Sequence, residues 1–515
     1  MAHTLLLMAL LSAWLLLGFV QPRSDVGHQP LDPQVTKTRV APVDSQLRPS
    51  ADGRPALIAN ERPFFPIGVT YHFTRLQGQW DVDLRLMRNI GLNTVRADLS
   101  WRDIVPNWEG YYQFAKLDQF LDKAAQHGLY VIPVFSYATG DIDLPWWFWL
   151  NYRGWGMVGA DGLGPLGGWA SFNNQDFRRL FTDYVRETVE HIREHPAILA
   201  YQVMNEPHYP AQPLSDYNSA AIEAFREWTS QQHTSVAELN SRWATGYQSF
   251  SDVLPPALSS RGGRADAAAA RQWRDWREFS YQTVSSFVDD LSAAVRRADG
   301  GQHAVFVSEM SWWWWGEQPL TGVSPAHVYR SSDVVGFDAY PESGAHADYY
   351  GLNVDLLQHL WQRPVWAMEI NRKDGNPTTA EVHAFVASAV ERGANGIFYF
   401  QWRDSWSDGG AYGLLDAKGN PKQQFSAFVE TVSWLRRNAD TFLSARVTPP
   451  DALVIWPSEA IATTPGDKSP AHDVFRAATR LSQRGLRVGI LPEEQAATYR
   501  GPVGGNVYGS DGKAK

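Results

Sequence analysis

The chain has 515 residues, 44% of them hydrophobic, with 23 tryptophans, no cysteine and a formal net charge of -9. Without cysteine there can be no disulfide, thiol catalysis or cysteine-held zinc, and the acidic balance argues against nucleic acid, whose phosphates call for a basic footprint. Tryptophan rings fill cores and also stack on sugar rings, so their number leans toward carbohydrate.

Leu5 to Val20 is an uncharged apolar run closed by Gln21-Pro22-Arg23. It is longer than a usual signal core and shorter than the ~20 residues that comfortably span a bilayer. Residues 1–22 therefore read as a signal peptide or an uncleaved membrane anchor. Either places the remainder outside the cytoplasm: periplasmic, secreted, or tethered to the membrane. Residues 23–60, rich in Pro, Gln, Ser and Asp, read as a linker.

From residue 61 the texture changes to short apolar runs alternating with amphipathic stretches, the signature of parallel α/β architecture. The apolar runs are Phe64–Tyr71, Asn93–Leu99, Leu129–Phe135, Ile198–Met204, Ala304–Ser308, Asp333–Phe337, Pro364–Met368 and Gly396–Trp402. Eight strands, each followed by a helix, predict a (β/α)8 TIM barrel over residues 61–440. The connections after strands three and four far exceed the ~31 residues of an average barrel unit. The first insertion, Ser136 to Phe172, carries Trp146, Trp147, Trp149, Trp155 and Trp169. Both insertions are expected to wall the upper face, since loops after strands build it. Residues 450–500 restart a strand–helix–strand pattern too short for a doubly wound domain, and 501–515 read as a disordered tail.

The chemistry is sought at strand ends, because barrel enzymes keep catalytic groups at the carboxyl ends of their strands. Ala200-Tyr-Gln-Val-Met-Asn-Glu-Pro-His208 ends strand four on Glu206, and Pro364-Val-Trp-Ala-Met-Glu-Ile370 ends strand seven on Glu369. Cleaving a glycosidic bond requires one protonated and one ionised carboxyl group with environments that separate their pKa values. Glu206 is the candidate acid and base, Glu369 the candidate nucleophile. Each alone is more often a salt-bridge partner or a cap; the pairing on strands four and seven of an eight-strand count favours catalysis. The histidines show no metal-ligand spacing, so neither metal nor cofactor is expected.

Asn205-Glu206-Pro207 with Glu369 resembles the clan A retaining glycoside hydrolases, and more narrowly glycoside hydrolase family 42, the β-galactosidase family. The matching stretches are Leu86–Arg96, Ser100-Trp101, Glu109–Asp118, His195–Glu206, Leu239–Gly246 and Phe398–Arg403. The resemblance implies that Arg96 holds the nucleophile ionised, that Asn205 bonds the sugar 2-hydroxyl, that Tyr340 contacts Glu369, and that Trp402 forms the floor of the sugar subsite. It also likens the piece from Ala452 to the start of a trimerisation domain, which leaves a homo-oligomer open. Trp312–Trp315 is a candidate sugar platform or a wedge of loop packing.

Three departures bear on substrate. The loop Trp406–Tyr412 lacks the Glu and His that in the family read the galactose 4-hydroxyl, Asp408 being its one carboxylate. The tryptophan expected after the nucleophile is missing from Ile370–Gly375, and the cysteine zinc site of some members cannot exist. The expectation is an exported retaining β-glycosidase, β-galactosidase-like, acting on a β-linked oligo- or polysaccharide. The alternatives are an endo-acting β-mannanase or β-glucanase and, from another class, a non-catalytic carbohydrate-binding barrel.

Overall fold

The computed structural model describes residues 45–49, 55–135, 144–166, 169–210, 215–257, 267–311, 321–343, 348–404, 412–444, 449–463, 469–496, 498–499 and 507–509. Eight parallel strands close into a barrel: β1 (Ile67–Tyr71), β2 (Thr94–Leu99), β3 (Tyr130–Phe135), β4 (Ala200–Asn205), β5 (Ala304–Met310), β6 (Val335–Ala339), β7 (Val365–Ile370) and β8 (Gly396–Tyr399). Neighbours in sequence pair around the ring, and β8 pairs with β1 to shut it. All eight expected strands are present. β5, β6 and β7 each run two residues further toward their carboxyl ends than hydropathy alone indicates, a difference that decides the chemistry below.

The barrel interior is packed rather than hollow. Ile132, Ala200, Phe306, Trp366, Met368 and Phe398 fill it, all buried. Two rings this large fit because the strands beside them carry glycine. A Cβ on Gly396 would come within 2.5 Å of Trp366, and one on Gly68 within 2.4 Å of Phe398.

Helices Trp80–Asn89 (α1), Ala115–Gln126 (α2), Gln175–Ile192 (α3), Ala267–Asp299 (α4), Tyr349–Trp361 (α5), Thr379–Glu391 (α6) and Phe425–Ser444 (α7) surround the strands. Local chemistry starts several of them. The Asn174 side chain caps α3 at the amide of Phe177, and Thr378 with Glu381 forms a capping box on α6, satisfying amides that the first turn leaves open. α4 is 33 residues long, about 50 Å at the α-helical rise. Its first half belongs to the second insertion, where Trp273 and Trp276 join Phe225, Leu239 and Trp243 in a separate aromatic core. Its second half lies against α3 as a barrel helix.

Two expectations are corrected. Part of the stretch expected as linker is ordered: Ser45–Pro49 and Pro55–Ala59 form an antiparallel hairpin. It plugs the amino-terminal mouth of the barrel, Leu57 and Ala59 joining the interior cluster and the Ser45 amide donating to Gln302 O at 3.1 Å. The physical reason is the short apolar run Ala56–Ala59, which removes its surface from water there. In the expected tail, Val507–Tyr508 (β11) pairs with Leu453 and Val454 of Ala452–Trp456 (β9), completing a parallel sheet with Val488–Pro492 (β10). This sheet lies against α5, and the Arg392 guanidinium, buried, donates both to Asp355 and to the carbonyl of Val488.

No helix among the described residues is long and apolar enough to cross a membrane; Leu5–Val20 lies outside them, as do Trp312–Trp315. If the hairpin is part of the folded barrel, Leu57→Ala should lower stability by about 2–5 kcal/mol through the cavity it opens. Urea denaturation reads this, and an unchanged midpoint would remove the hairpin from the cooperative unit.

Candidate active site

The site is built where two strands carry an extra residue. Between β4 and β5 the pairing moves from Gln202–Phe306 to Asn205–Ser308, three residues against two. Between β7 and β6 it moves from Ala367–Phe337 to Glu369–Asp338, two residues against one. Side chains alternate along a strand, so one added residue re-aims everything after it. Both irregularities fall just before the candidate glutamates. At Glu206 the backbone is also in the left-handed region, φ 48°, which costs a side-chain-bearing residue roughly 1–2 kcal/mol. The turn is held by the Glu206 amide, which donates to Ser308 O at 2.9 Å, and by the His208 ring, whose Nδ1 meets the Glu206 carbonyl at 2.6 Å. Burial pushes His208 down to about 4, so the ring is neutral.

Arg96, from the middle of β2, binds the site together. Its Nη1 donates to Glu369 Oε1 at 2.5 Å and to Thr70 Oγ1 at 3.0 Å; its Nε donates to Gln202 Oε1 at 2.8 Å, and its Nη2 to Asn205 Oδ1 at 2.5 Å. Arg96 and Glu369 are 1% and 4% exposed, so the pair is desolvated and survives only because its remaining polar atoms are bonded. The other carboxylate oxygen, Oε2, accepts a short hydrogen bond from the Tyr340 hydroxyl. Burial raises Glu369, while Arg96 and Tyr340 pull it back without cancelling the rise.

Glu206 stands in the opposite environment. Burial pushes its carboxyl well above the usual range, and the neighbouring Asp338 and Glu369 add to the rise. One carboxyl group is thus held toward the ionised form by a guanidinium and the other toward the protonated form by burial and like charge.

Carboxyl oxygens of Glu206, Asp338 and Glu369 lie within 4.8 Å of one another. That spacing is close enough for an ion, but Arg96 and Tyr340 already occupy both oxygens of Glu369, and a guanidinium so near repels a metal cation. The donor set suits a proton better.

Of the six residues singled out from the sequence, five converge here: Glu206, Glu369, Arg96, Asn205 and Tyr340. Trp402 does not face the same space. It is fully buried beside Phe425, ring centroids 6.3 Å apart, in the larger hydrophobic cluster rather than the barrel interior. The ring that this strand offers the site is Phe400, edge-on to both Tyr340 and His72 at 6.0 Å. His72, after β1, meets Asp98 Oδ2 through Nδ1 at 2.6 Å. Burial acts to raise Asp98, but the His72 and arginine charges outweigh it and hold the carboxyl below its usual value.

Asp338, Ser308, Glu309, Phe400 and His72 were not evident from hydropathy. For the four polar ones the only sequence signal is the one that found the glutamates, a polar residue at the carboxyl end of an apolar run; Phe400 lies within such a run and carries no signal of its own. Among the insertion aromatics, Trp169 packs edge-on to His208 at 4.7 Å and walls the site. Trp147 and Trp155 are buried, while Trp146 and Trp149 stay on the surface. Of the loop Trp406–Tyr412 only Tyr412 is described; its ring lies 5.6 Å from Tyr340.

The sequence profile of glycoside hydrolase family 42, described as beta-galactosidase, matches residues 70–437. The chain is 26% identical over 347 residues to the beta-galactosidase LacZ of Heyndrickxia coagulans, covering 64% of this chain and 49% of that one. It is 24% identical over 470 residues to the beta-galactosidase BbgII of Bifidobacterium bifidum, covering 75% and 64%. The chain thus spans about half to two thirds of the length of these curated relatives. A beta-galactosidase structure from Marinomonas ef1 superposes with a TM-score of 0.71 at 20% identity, covering 86% of this chain and 75% of that one. One from Halorubrum lacusprofundi gives 0.71 at 19%, covering 86% and 68%.

Arg96→Met should strand the Glu369 charge in the barrel and cost about 3–5 kcal/mol at neutral pH. A carboxyl raised in the folded state binds more protons there than when unfolded, so stability falls as pH rises through the raised value. The loss should therefore be larger at pH 8 than at pH 5 when urea denaturation is compared with the parent. A loss independent of pH would break the link between Arg96 and the charge on Glu369.

Proposed function

Because the chain belongs to glycoside hydrolase family 42, we propose that it hydrolyses β-galactosides with retention of configuration, Glu369 acting as nucleophile and Glu206 as acid and then base. The observation that carries this reading is the close approach of the two carboxyl groups, one oxygen of each lying within 4.8 Å of the other's. Retaining enzymes hold their pair at about 5–5.5 Å, whereas inverting enzymes need roughly 6.5–9.5 Å to admit a water.

In the first step the Glu369 carboxylate attacks the anomeric carbon. Its Oε1 is fixed by Arg96 and its Oε2 by Tyr340, so the charge is aimed before substrate arrives. Glu206 donates its proton to the departing glycosidic oxygen, and the first sugar is released as an alcohol. Glu206, now a carboxylate, then takes a proton from water as that water attacks the anomeric carbon and frees Glu369. Asn205, held by Arg96 through Oδ1, leaves its amide nitrogen for the sugar 2-hydroxyl. Phe400, Tyr340 and Tyr412 supply apolar ring surface on the Glu369 side. The galactoside reading of the substrate draws on the named relatives. The non-catalytic barrel is disfavoured by a buried nucleophile held by two donors, an arrangement with no use in binding alone.

Two substitutions and a titration test this. Glu369→Gln should abolish turnover of every β-galactoside. Glu206→Ala should slow lactose-like substrates by roughly 10²–10⁴ and spare aryl galactosides with good leaving groups, which need no acid. Near-normal rates in both variants would end the assignment. In the parent, kcat/KM should fall at low pH as Glu369 protonates, above the ordinary carboxylate range since burial raises it, and at high pH as Glu206 ionises. A profile flat from pH 4 to 9 would contradict this pairing.

A further inference from the structure

A third carboxyl group lies in the site and the double displacement gives it no task. Asp338, on β6, is fully buried. Its Oδ1 accepts from the Ser308 hydroxyl at 2.7 Å, while its Oδ2 has no hydrogen-bond partner among the described residues. Glu206 Oε1 is buried and equally without a partner. Buried polar atoms are normally satisfied, so two unsatisfied carboxyl oxygens on neighbouring groups, within 4.8 Å, call for a proton between them. The chain reaches this geometry deliberately. The irregularity in β7 sets Glu369 beside Asp338, and the one in β4 sets Asn205 beside Ser308.

We infer that Asp338 is a positioning residue that acts through Glu206, accepting the acid's proton in a hydrogen bond and so keeping it in place for the leaving oxygen. This inference rests on the reading of Glu206 as the acid. Asp338 does not touch the reacting atoms; Ser308 fixes one of its oxygens so that the other stays turned toward Glu206.

The groups facing Asp338 from each packed element are Glu206 on β4, Ser308 and Glu309 on β5, Arg96 on β2, Glu369 on β7, Tyr340 after its own strand, and Tyr329 and Tyr350 behind it. Burial and then the Glu369 charge push Asp338 up to about 8, with Arg96, Ser308 and Glu206 opposing. Glu206 is raised well above its ordinary value, by burial first and by Asp338 next. As pH rises through that range Asp338 ionises and becomes the anion that retains the proton of Glu206. Glu309, buried and accepting from the Met310 amide on Oε1 at 3.0 Å, is itself raised by burial.

Asp338→Asn tests the inference, since its amide keeps the shape, removes the charge and turns a donor toward Glu206, favouring the ionised acid. The alkaline limb of kcat/KM for an alkyl β-galactoside should move down by about one pH unit or more, which is a tenfold or greater loss above it. The rate on 2,4-dinitrophenyl β-galactoside should change far less. Ser308→Ala, which only frees Asp338, should move the same limb in the same direction by less, and it decides the matter if the Asn variant fails to fold. An unshifted limb, or alkyl and dinitrophenyl substrates slowed alike, overturns the inference and leaves Asp338 a structural group. Glu206→Ala measured alongside separates the two failures. If that variant slows both substrates alike, the acid assignment itself falls; if it spares the dinitrophenyl substrate while the Asp338→Asn limb stays put, only the role of Asp338 falls.

Discussion

Everything at the top of this barrel depends on one buried cation. Arg96 reaches from β2 to Thr70 on β1, to Gln202 and Asn205 on β4, and to Glu369 on β7. A guanidinium suits the position because it is always charged and presents several donors in a fixed plane, so one side chain can serve four acceptors on three other strands. Desolvating it is costly, and only this full set of partners makes the arrangement tolerable. The same bonds that offset burial also fix Glu369 Oε1 and the orientation of Asn205. Folding and preorganisation are here the same set of contacts.

Around that cation the protein distributes protons by geometry. Glu369 has a guanidinium and a phenol on its two oxygens, whereas Glu206 is buried among other carboxyl groups. Identical side chains are therefore held in opposite electrostatic environments. The separation comes from backbone irregularities, since an uninterrupted pleat in β4 and β7 would turn the carboxyl groups to other faces. Irregular pairing and the left-handed backbone at Glu206 are local departures from ideal structure, sustained because the surrounding barrel over-determines them.

Much of this was legible beforehand, for a definite reason. A strand covered on both faces reads as an apolar run, so the eight strands, their order and the two long insertions follow from hydropathy. Asn205, Glu206 and Glu369 were visible because they stand where such runs stop. Asp338 and Glu309 stand one residue past the runs that end at Phe337 and Ser308, just as Glu369 stands one past Met368, so hydropathy alone does not rank the three; their burial and neighbours do. Trp402 lies elsewhere than the sequence suggests. It follows an apolar run and looks like its continuation, yet the strand stops at Tyr399 and Phe400 takes the position beside Tyr340. Hydropathy measures how apolar a stretch is and carries no information about which way each side chain points.

The amino-acid sequence by itself determined the barrel, the strand count and the two glutamates, because burial of apolar runs and the alternation of strand with helix are properties of the chain read locally. Only the tertiary structure decided which carboxyl group keeps a proton. That depends on Arg96 lying against Glu369, 273 residues away along the chain, and on Asp338 lying against Glu206. Distances of a few ångströms between remote residues set the local electric field, and no periodicity in the chain encodes them.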